Sequence, residues 1–221
     1  MTPTKTGDLR FYGFFRSSAV YRCRIAFGLK GLKPELVPIH LRKDEQRSSE
    51  YLSLNPQGLV PALQAGGHTL TQSLAIIEWL DETYAEPPLL PPDPFARAYV
   101  RALALSVACD IHPLQNTRVL QYLRTEHSQD QEGLDRWCRH WIESGLQAFE
   151  TIVARSGYAG TFCCGEQPSL ADICLIPQLF AAPRFGANIS GLDRLLRIKA
   201  ACEALPAFAE AHPARQPDAE S

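Results

Sequence analysis

The spacing of apolar residues changes character near residue 85 of the 221-residue chain. Before that point, short apolar runs alternate with stretches of helical spacing; after it the spacing is helical throughout. Leu9 to Phe15 is dense in apolar and aromatic side chains and reads as a strand. Ser17-Ser18 then opens a helix carrying Val20, Cys23, Ile25, Ala26 and Leu29, with Gly31 as the residue that closes it. Glu35 to Leu41 reads as a second strand, so Leu9 to Leu41 forms a βαβ unit without a GxGxxG fingerprint. Ser48 to Leu54 predicts a short helix, and Pro61 to Gln64 with His68 to Leu70 predicts a hairpin around Gly66-Gly67. Pro61 has no amide hydrogen and belongs at the first residue of a strand or at an edge. Ser73 to Tyr84 closes this half as a helix, with Ser73 as N-cap and Leu74, Ile77, Trp79 and Leu80 at apolar positions.

The proline-dense run Ala85-Glu-Pro-Pro-Leu-Leu-Pro-Pro-Asp-Pro94 cannot be helix interior and reads as a linker. Asp93-Pro94 starts a helix, with Asp as N-cap and Pro at the first position. Val100, Leu103, Ala104, Val107, Ile111 and Leu114 form one stripe continuing toward Leu120 and Leu123, in which Pro113 should bend the helix or remove a hydrogen bond. Leu134 to Val153 predicts a long helix with Trp137, Trp141 and Phe149 on its inner side. Ser169-Leu-Ala-Asp172 is a capping box ahead of the apolar run Ile173, Leu175, Ile176. Leu192 to Leu205 predicts the last helix, and the tail from His212 reads as irregular.

Composition narrows the function classes. A net charge of -2 gives no global field for nucleic acid or an anionic membrane. No apolar run approaches the ~20 residues that span a bilayer. Met1 to Asp8 is polar, so no secretory leader is expected. The seven cysteines are scattered without CxxC or zinc spacing, which argues against a metal site and for free thiols in a reducing cytoplasm.

Two motifs carry the chemistry. The first is Asn55-Pro-Gln-Gly-Leu-Val-Pro61-Ala-Leu63 followed by Gln72-Ser73 ahead of an apolar helix. It resembles the second half of a glutathione transferase N-terminal domain. The resemblance implies that Pro61 is cis, that the Val60 backbone pairs with the cysteinyl part of glutathione, and that Gln72 and Ser73 grip its γ-glutamyl carboxylate. A helix N-terminus suits an anion, because its first amides lack partners. An extended peptide can add to exposed backbone as a strand does.

The second is Phe14-Phe15-Arg16-Ser17-Ser18-Ala19-Val20-Tyr21-Arg22-Cys23-Arg24-Ile25-Ala26, which resembles the FRSSCSWRVRIA signature of zeta-class glutathione transferases. These are the maleylacetoacetate isomerases, and they share their architecture with maleylpyruvate isomerases. The likeness runs from about Leu9 to Asp218 and includes IIEWL, LLPPDP, CDIHPLQNxR, the Ser-x-x-Asp box and RQPD. It implies an α/β thioredoxin-like domain over 1–84, a linker over 85–94 and an all-α domain over 95–221 lining the substrate pocket. It also implies a homodimer.

The reaction implied is rotation about the double bond of a maleyl keto acid, by reversible addition of the thiolate of glutathione. Ser17, at a helix start, is expected to hold that thiolate, with Ser18 beside it. The substrate is a small dianion, and Arg16, Arg118 and Arg184 are the expected cations, because a guanidinium meets a carboxylate bidentately. Arginine near the carbonyl also stabilises a developing enolate. The resemblance places further glutathione contacts at His112, Asn116, Thr117 and Gln46. One departure stands out: Ala19 occupies the position that is usually cysteine in the zeta class, so no protein thiol acts there. Ala19 and the serines speak against cysteine-dependent dehalogenases. A general glutathione transferase or peroxidase, and a non-catalytic glutathione-binding module, are the alternatives. The choice between maleylpyruvate and maleylacetoacetate stays open, with a lean to maleylpyruvate.

Overall fold

The computed structural model describes residues 9–220. Contacts divide these residues into two compact units, one running up to residue 89 and resuming from 204, the other spanning residues 90–203.

The first unit is built on a four-stranded sheet of order β2-β1-β3-β4. Leu9–Gly13 (β1) and Glu35–Pro38 (β2) pair in parallel and are joined by the helix Ser18–Leu29 (α1). Ser49–Leu54 forms α2. Ala62–Ala65 (β3) lies antiparallel to β1 and turns at Gly66-Gly67 into His68–Thr71 (β4), and Ser73–Thr83 (α3) follows. Leu9, Phe11, Ile25, Leu63, Ile76 and Ile77 are buried between sheet and helices. Gly13 lets α1 sit close on the end of β1: a Cβ there would come within 2.6 Å of Val20 Cγ1. Lys30, at the end of α1, is fully buried, and its Nζ donates to Asp81 Oδ1 at 2.7 Å and to the Pro87 carbonyl at 2.6 Å.

The second unit is helical: Pro94–Leu105 (α4), Thr117–Glu126 (α5), Gln131–Arg155 (α6), Leu170–Ala181 (α7) and Asp193–Glu203 (α8). Asp93 caps α4 as expected, accepting from the Ala96 amide at 2.8 Å. The capping box forms as read: Asp172 is fully buried and accepts from the Ser169 amide and hydroxyl, both at 2.8 Å, and from the Cys163 amide at 2.9 Å. Burial pushes the Asp172 carboxyl upward, and these donors pull it back.

The chain then returns to the first unit. Pro206–Ala211 (α9), which the pattern did not predict, packs against α1. Residues from 204 onward therefore group with the first unit, where the sequence reading carries the all-α domain over 95–221. The reason is the apolar side chain of Phe208, which needs a partner surface that α1 supplies.

Four other expectations change. β1 stops at Gly13 and β2 at Pro38, where a last bond from the Ile39 amide to the Gly13 carbonyl at 2.7 Å closes the pairing. The striped helix does not bend at Pro113 and run on. It passes through a π-helical turn at Ser106–Ile111 and a 3-10 turn at His112–Gln115, then restarts at Thr117. Asn116, in extended conformation, is the break and the new N-cap. On α6 the inner stripe is Leu134, Cys138, Ile142, Leu146, Phe149 and Val153, while Trp137 and Trp141 are only half-buried at its flank. The Trp137 indole uses that position to donate to the Leu114 carbonyl at 2.7 Å.

Candidate functional site

Eight of the expected site residues lie in the first unit. Ser17 is the N-cap of α1, and its Oγ accepts from the Val20 amide at 3.4 Å. Because the oxygen acts there as an acceptor, the hydroxyl proton remains available to a ligand. Ser18 is the first residue of α1, and Arg16 is exposed in the turn before it.

That turn is held by groups that carried no assigned role in the sequence. The Phe15 amide donates to Asp218 Oδ2 at 2.9 Å. The Phe15 carbonyl accepts from Arg24 Nη2 at 2.9 Å, and Arg24 Nε donates to the Ala211 carbonyl at 3.0 Å. Burial lowers the Arg24 guanidinium to about 10, and the nearby Asp218 carboxylate opposes that shift. The C-terminal tail is tied further by Glu220, which meets His40 and Arg42. The RQPD stretch was the available signal for Asp218, but nothing in its spacing indicated Phe15 as its partner.

The Val60–Pro61 peptide is cis. Pro61 precedes β3 and is not its first residue. The loop is pinned one residue earlier, where the Leu59 carbonyl accepts from Tyr51 Oη and Asn55 Nδ2, both at 2.7 Å. Burial pushes the Tyr51 phenol up to about 12, so it stays a donor. Among the described residues, neither the amide nor the carbonyl of Val60 has a backbone partner.

At the start of α3, Ser73 is not the N-cap. Gln72 is, with φ 70° and no side-chain cap bond. Ser73 is the first helical residue and is buried, with its Oγ accepting from Arg22 Nη1 at 3.3 Å. A serine at that position leaves the first amides of α3 uncapped and its own hydroxyl proton free. The exposed Gln72 side chain donates to Gln57 Oε1 at 2.9 Å. Gln46 lies in a 3-10 turn, donating to Asp44 Oδ1 at 3.2 Å, and its buried Oε1 has no partner among the described residues.

An apolar cavity of about 240 Å³ in this unit touches Phe14, Phe15, Val37, Pro38 and Pro217. None of the eight expected residues lines it.

The other five expected residues lie in the second unit. His112 begins the 3-10 turn ahead of the break. Asn116 Oδ1 is engaged in capping α5, accepting from the Arg118 amide at 3.2 Å. Thr117 and Arg118 are exposed in the first turn of α5. Arg118 therefore stands at a helix N-terminus, where two positive features coincide and an anion is favoured. Arg184 lies in a 3-10 turn after α7, not at the helix end, and is exposed with its guanidinium over the Phe185 ring at 5.3 Å. Both turns pack against α6.

Four of the protein's thiols are held in the neutral form by their surroundings, and Cys109 is the exposed one. Burial pushes Cys138 up to about 12 and raises Cys163, Cys164 and Cys202. Among the described residues there is also no cluster of three metal-ligating side chains and no helix long and apolar enough to cross a membrane.

Comparison with known proteins matches residues 7–82 to the family described as glutathione S-transferase, N-terminal domain. The chain is 46% identical over 213 residues to a maleylacetoacetate isomerase of Pseudomonas aeruginosa, covering 95% of this chain and 98% of that protein. A structure described as a holo maleyl pyruvate isomerase, a bacterial glutathione S-transferase in the zeta class, matches with TM-score 0.93 and 44% identity, covering 96% of this chain and 100% of the other. A maleylacetoacetate isomerase from Methylobacterium extorquens with bound malonate and glutathione matches with TM-score 0.93 and 41% identity, over 96% and 100% of the two chains.

Asp218→Ala should leave the Phe15 amide without its charged acceptor, at a cost of about 1–3 kcal/mol. Urea unfolding should show that loss, and hydrogen exchange should show faster exchange at Phe15 to Ser18. Unchanged exchange there would mean the tail does not hold the turn.

Proposed function

Because the chain belongs to the zeta-class glutathione transferase family, we propose that it is a glutathione-dependent cis–trans isomerase of a maleyl keto acid. Ser17 carries the proposal: a hydroxyl with a free proton at the start of a buried helix, with no cysteine in the turn that leads into it. The first unit fits glutathione. Val60 offers an unpartnered amide and carbonyl beside a cis proline, and Ser73 offers a hydroxyl proton at an uncapped helix start.

When bound, glutathione supplies the thiolate that adds to the maleyl double bond, so that the bond can rotate before the thiol leaves. The residues of this chain do the rest. Ser17 donates to the sulfur, and the N-terminal amides of α1 add positive potential there, favouring the ionised form. The backbone of Val60 aligns the cysteinyl part, and Gln72 and Ser73 hold the γ-glutamyl carboxylate. Gln46, Ser18, His112, Asn116 and Thr117 complete the glutathione contacts. Arg16, Arg118 and Arg184 hold the carboxylates of the substrate and meet negative charge that develops at its ketone. The malonate bound in the Methylobacterium relative is a small dicarboxylate and supports a site for dianions. Ala19 costs nothing in this scheme, since no protein thiol takes part. The seven cysteines, all free, fit a cytoplasmic setting.

Maleylpyruvate offered with glutathione should isomerise, and without glutathione should not. Conjugation of a chlorinated arene with no isomerisation of either maleyl keto acid would overturn the assignment in favour of a general transferase. Ser17→Ala should raise the pKa of the bound thiol and shift the pH–rate profile upward. Arg118→Ala should instead raise the Michaelis constant for the keto acid, with catalytic efficiency falling roughly 10- to 150-fold. Thiolate absorbance titration separates the two roles, and an equal pKa shift in both variants would merge them.

A C2 homodimer is part of the same proposal. Sedimentation at micromolar concentration should give twice the mass of the 24.5 kDa chain, and a monomer mass would refute it.

A further inference from the structure

Two arginines are buried on α1, and they are served unequally. Arg24 donates to two carbonyls and has Asp218 nearby. Arg22 is only 2% exposed and makes one hydrogen bond, from Nη1 to Ser73 Oγ. Its Nε and Nη2 have no partner among the described residues. A buried cation without a counter-charge is strongly disfavoured. Its burial is rationalised if the counter-charge arrives with a ligand.

The contact of Arg22 indicates where. Ser73 is the first residue of α3, where the leading amides are unpaired. Cys23, the next residue on α1, lies with its Sγ 3.8 Å from the Ser73 carbonyl, so α1 meets both the side chain and the backbone of this residue. The helix N-terminus and the guanidinium both make the potential positive there. They repel each other until an anion neutralises both. Because Ser73 Oγ accepts from Arg22, its hydroxyl proton is directed away from the guanidinium.

We propose that Arg22 is a positioning residue for a bound carboxylate at Ser73, orienting the hydroxyl proton toward the ligand and balancing its charge from beneath. On the functional reading above, on which this inference rests, the ligand group is the α-carboxylate of the γ-glutamyl end of glutathione.

The test is calorimetric titration of glutathione into wild type, Arg22→Met and Arg22→Lys, beside an analogue amidated at the γ-glutamyl α-carboxylate. Arg22→Met should weaken glutathione about tenfold or more while leaving the affinity of the neutral analogue unchanged. In turnover, the Michaelis constant for glutathione should rise and kcat at saturation should hold. Arg22→Lys, which keeps the charge, should recover part of the loss. Its remaining deficit should vanish when Ser73→Ala is added, a comparison that stands even if Arg22→Met does not fold. Equal weakening of both ligands, or a fall in kcat alone, would make Arg22 merely structural. Wild type that takes up no glutathione would sink the functional reading and this assignment with it. Wild type that binds it, with Arg22→Met binding as tightly, would sink this assignment alone.

Discussion

Helix α1 is buried along its whole middle, and the first unit is arranged around that constraint. The eight consecutive residues Val20 to Phe27 are buried, two arginines among them. The sheet covers one side, with Phe27 edge-on to Phe11 at 5.0 Å, and α3 and α9 pack on others. A helix covered all round cannot send its cations to water, so each guanidinium needs a partner inside. Arg24 finds the Phe15 carbonyl, and Asp218 takes the neighbouring amide. Both sides of Phe15 are thereby fixed, two residues before the serine that caps the helix.

The second unit meets a different demand. A chain with net charge -2 has no overall field that favours anions, so any positive potential is local. The broken helix between Leu105 and Thr117 provides one such place. Gly145 on α6 makes the irregular turn possible: a Cβ there would fall 2.4 Å from Ile111 Cγ1. With Ile111 seated, the chain leaves helical geometry and begins again at Asn116, so that Arg118 lies in a first turn and not mid-helix. The π-helical segment is thus a feature that re-aims the chain, as such segments often are at functional sites.

Motifs bound to short range were readable from residue types. Asp93 before Pro94, Ser48 before α2 and the Ser169–Asp172 box all act within three residues, so packing elsewhere does not change their chemistry. The same holds for Ser17 and for the hairpin at Gly66-Gly67. Ser73 shows the limit. Serine is a preferred N-cap, yet the backbone gives that position to Gln72, and Ser73 is claimed instead by an arginine 51 residues away.

By itself, the sequence determined the order of elements, the local caps and the residue types the chemistry needs, because each depends on spacing of a few residues. Tertiary structure alone decided which polar groups are buried and what they face. Arg24 looks like part of the polar face of an ordinary surface helix until the Ala211 carbonyl of α9 meets it from 187 residues downstream. Asp218 becomes a support of the Phe15 turn only when the tail returns across 203 residues. Burial turns these side chains from solvated charges into obligations that must be met at a distance, and sequence spacing carries no record of that distance.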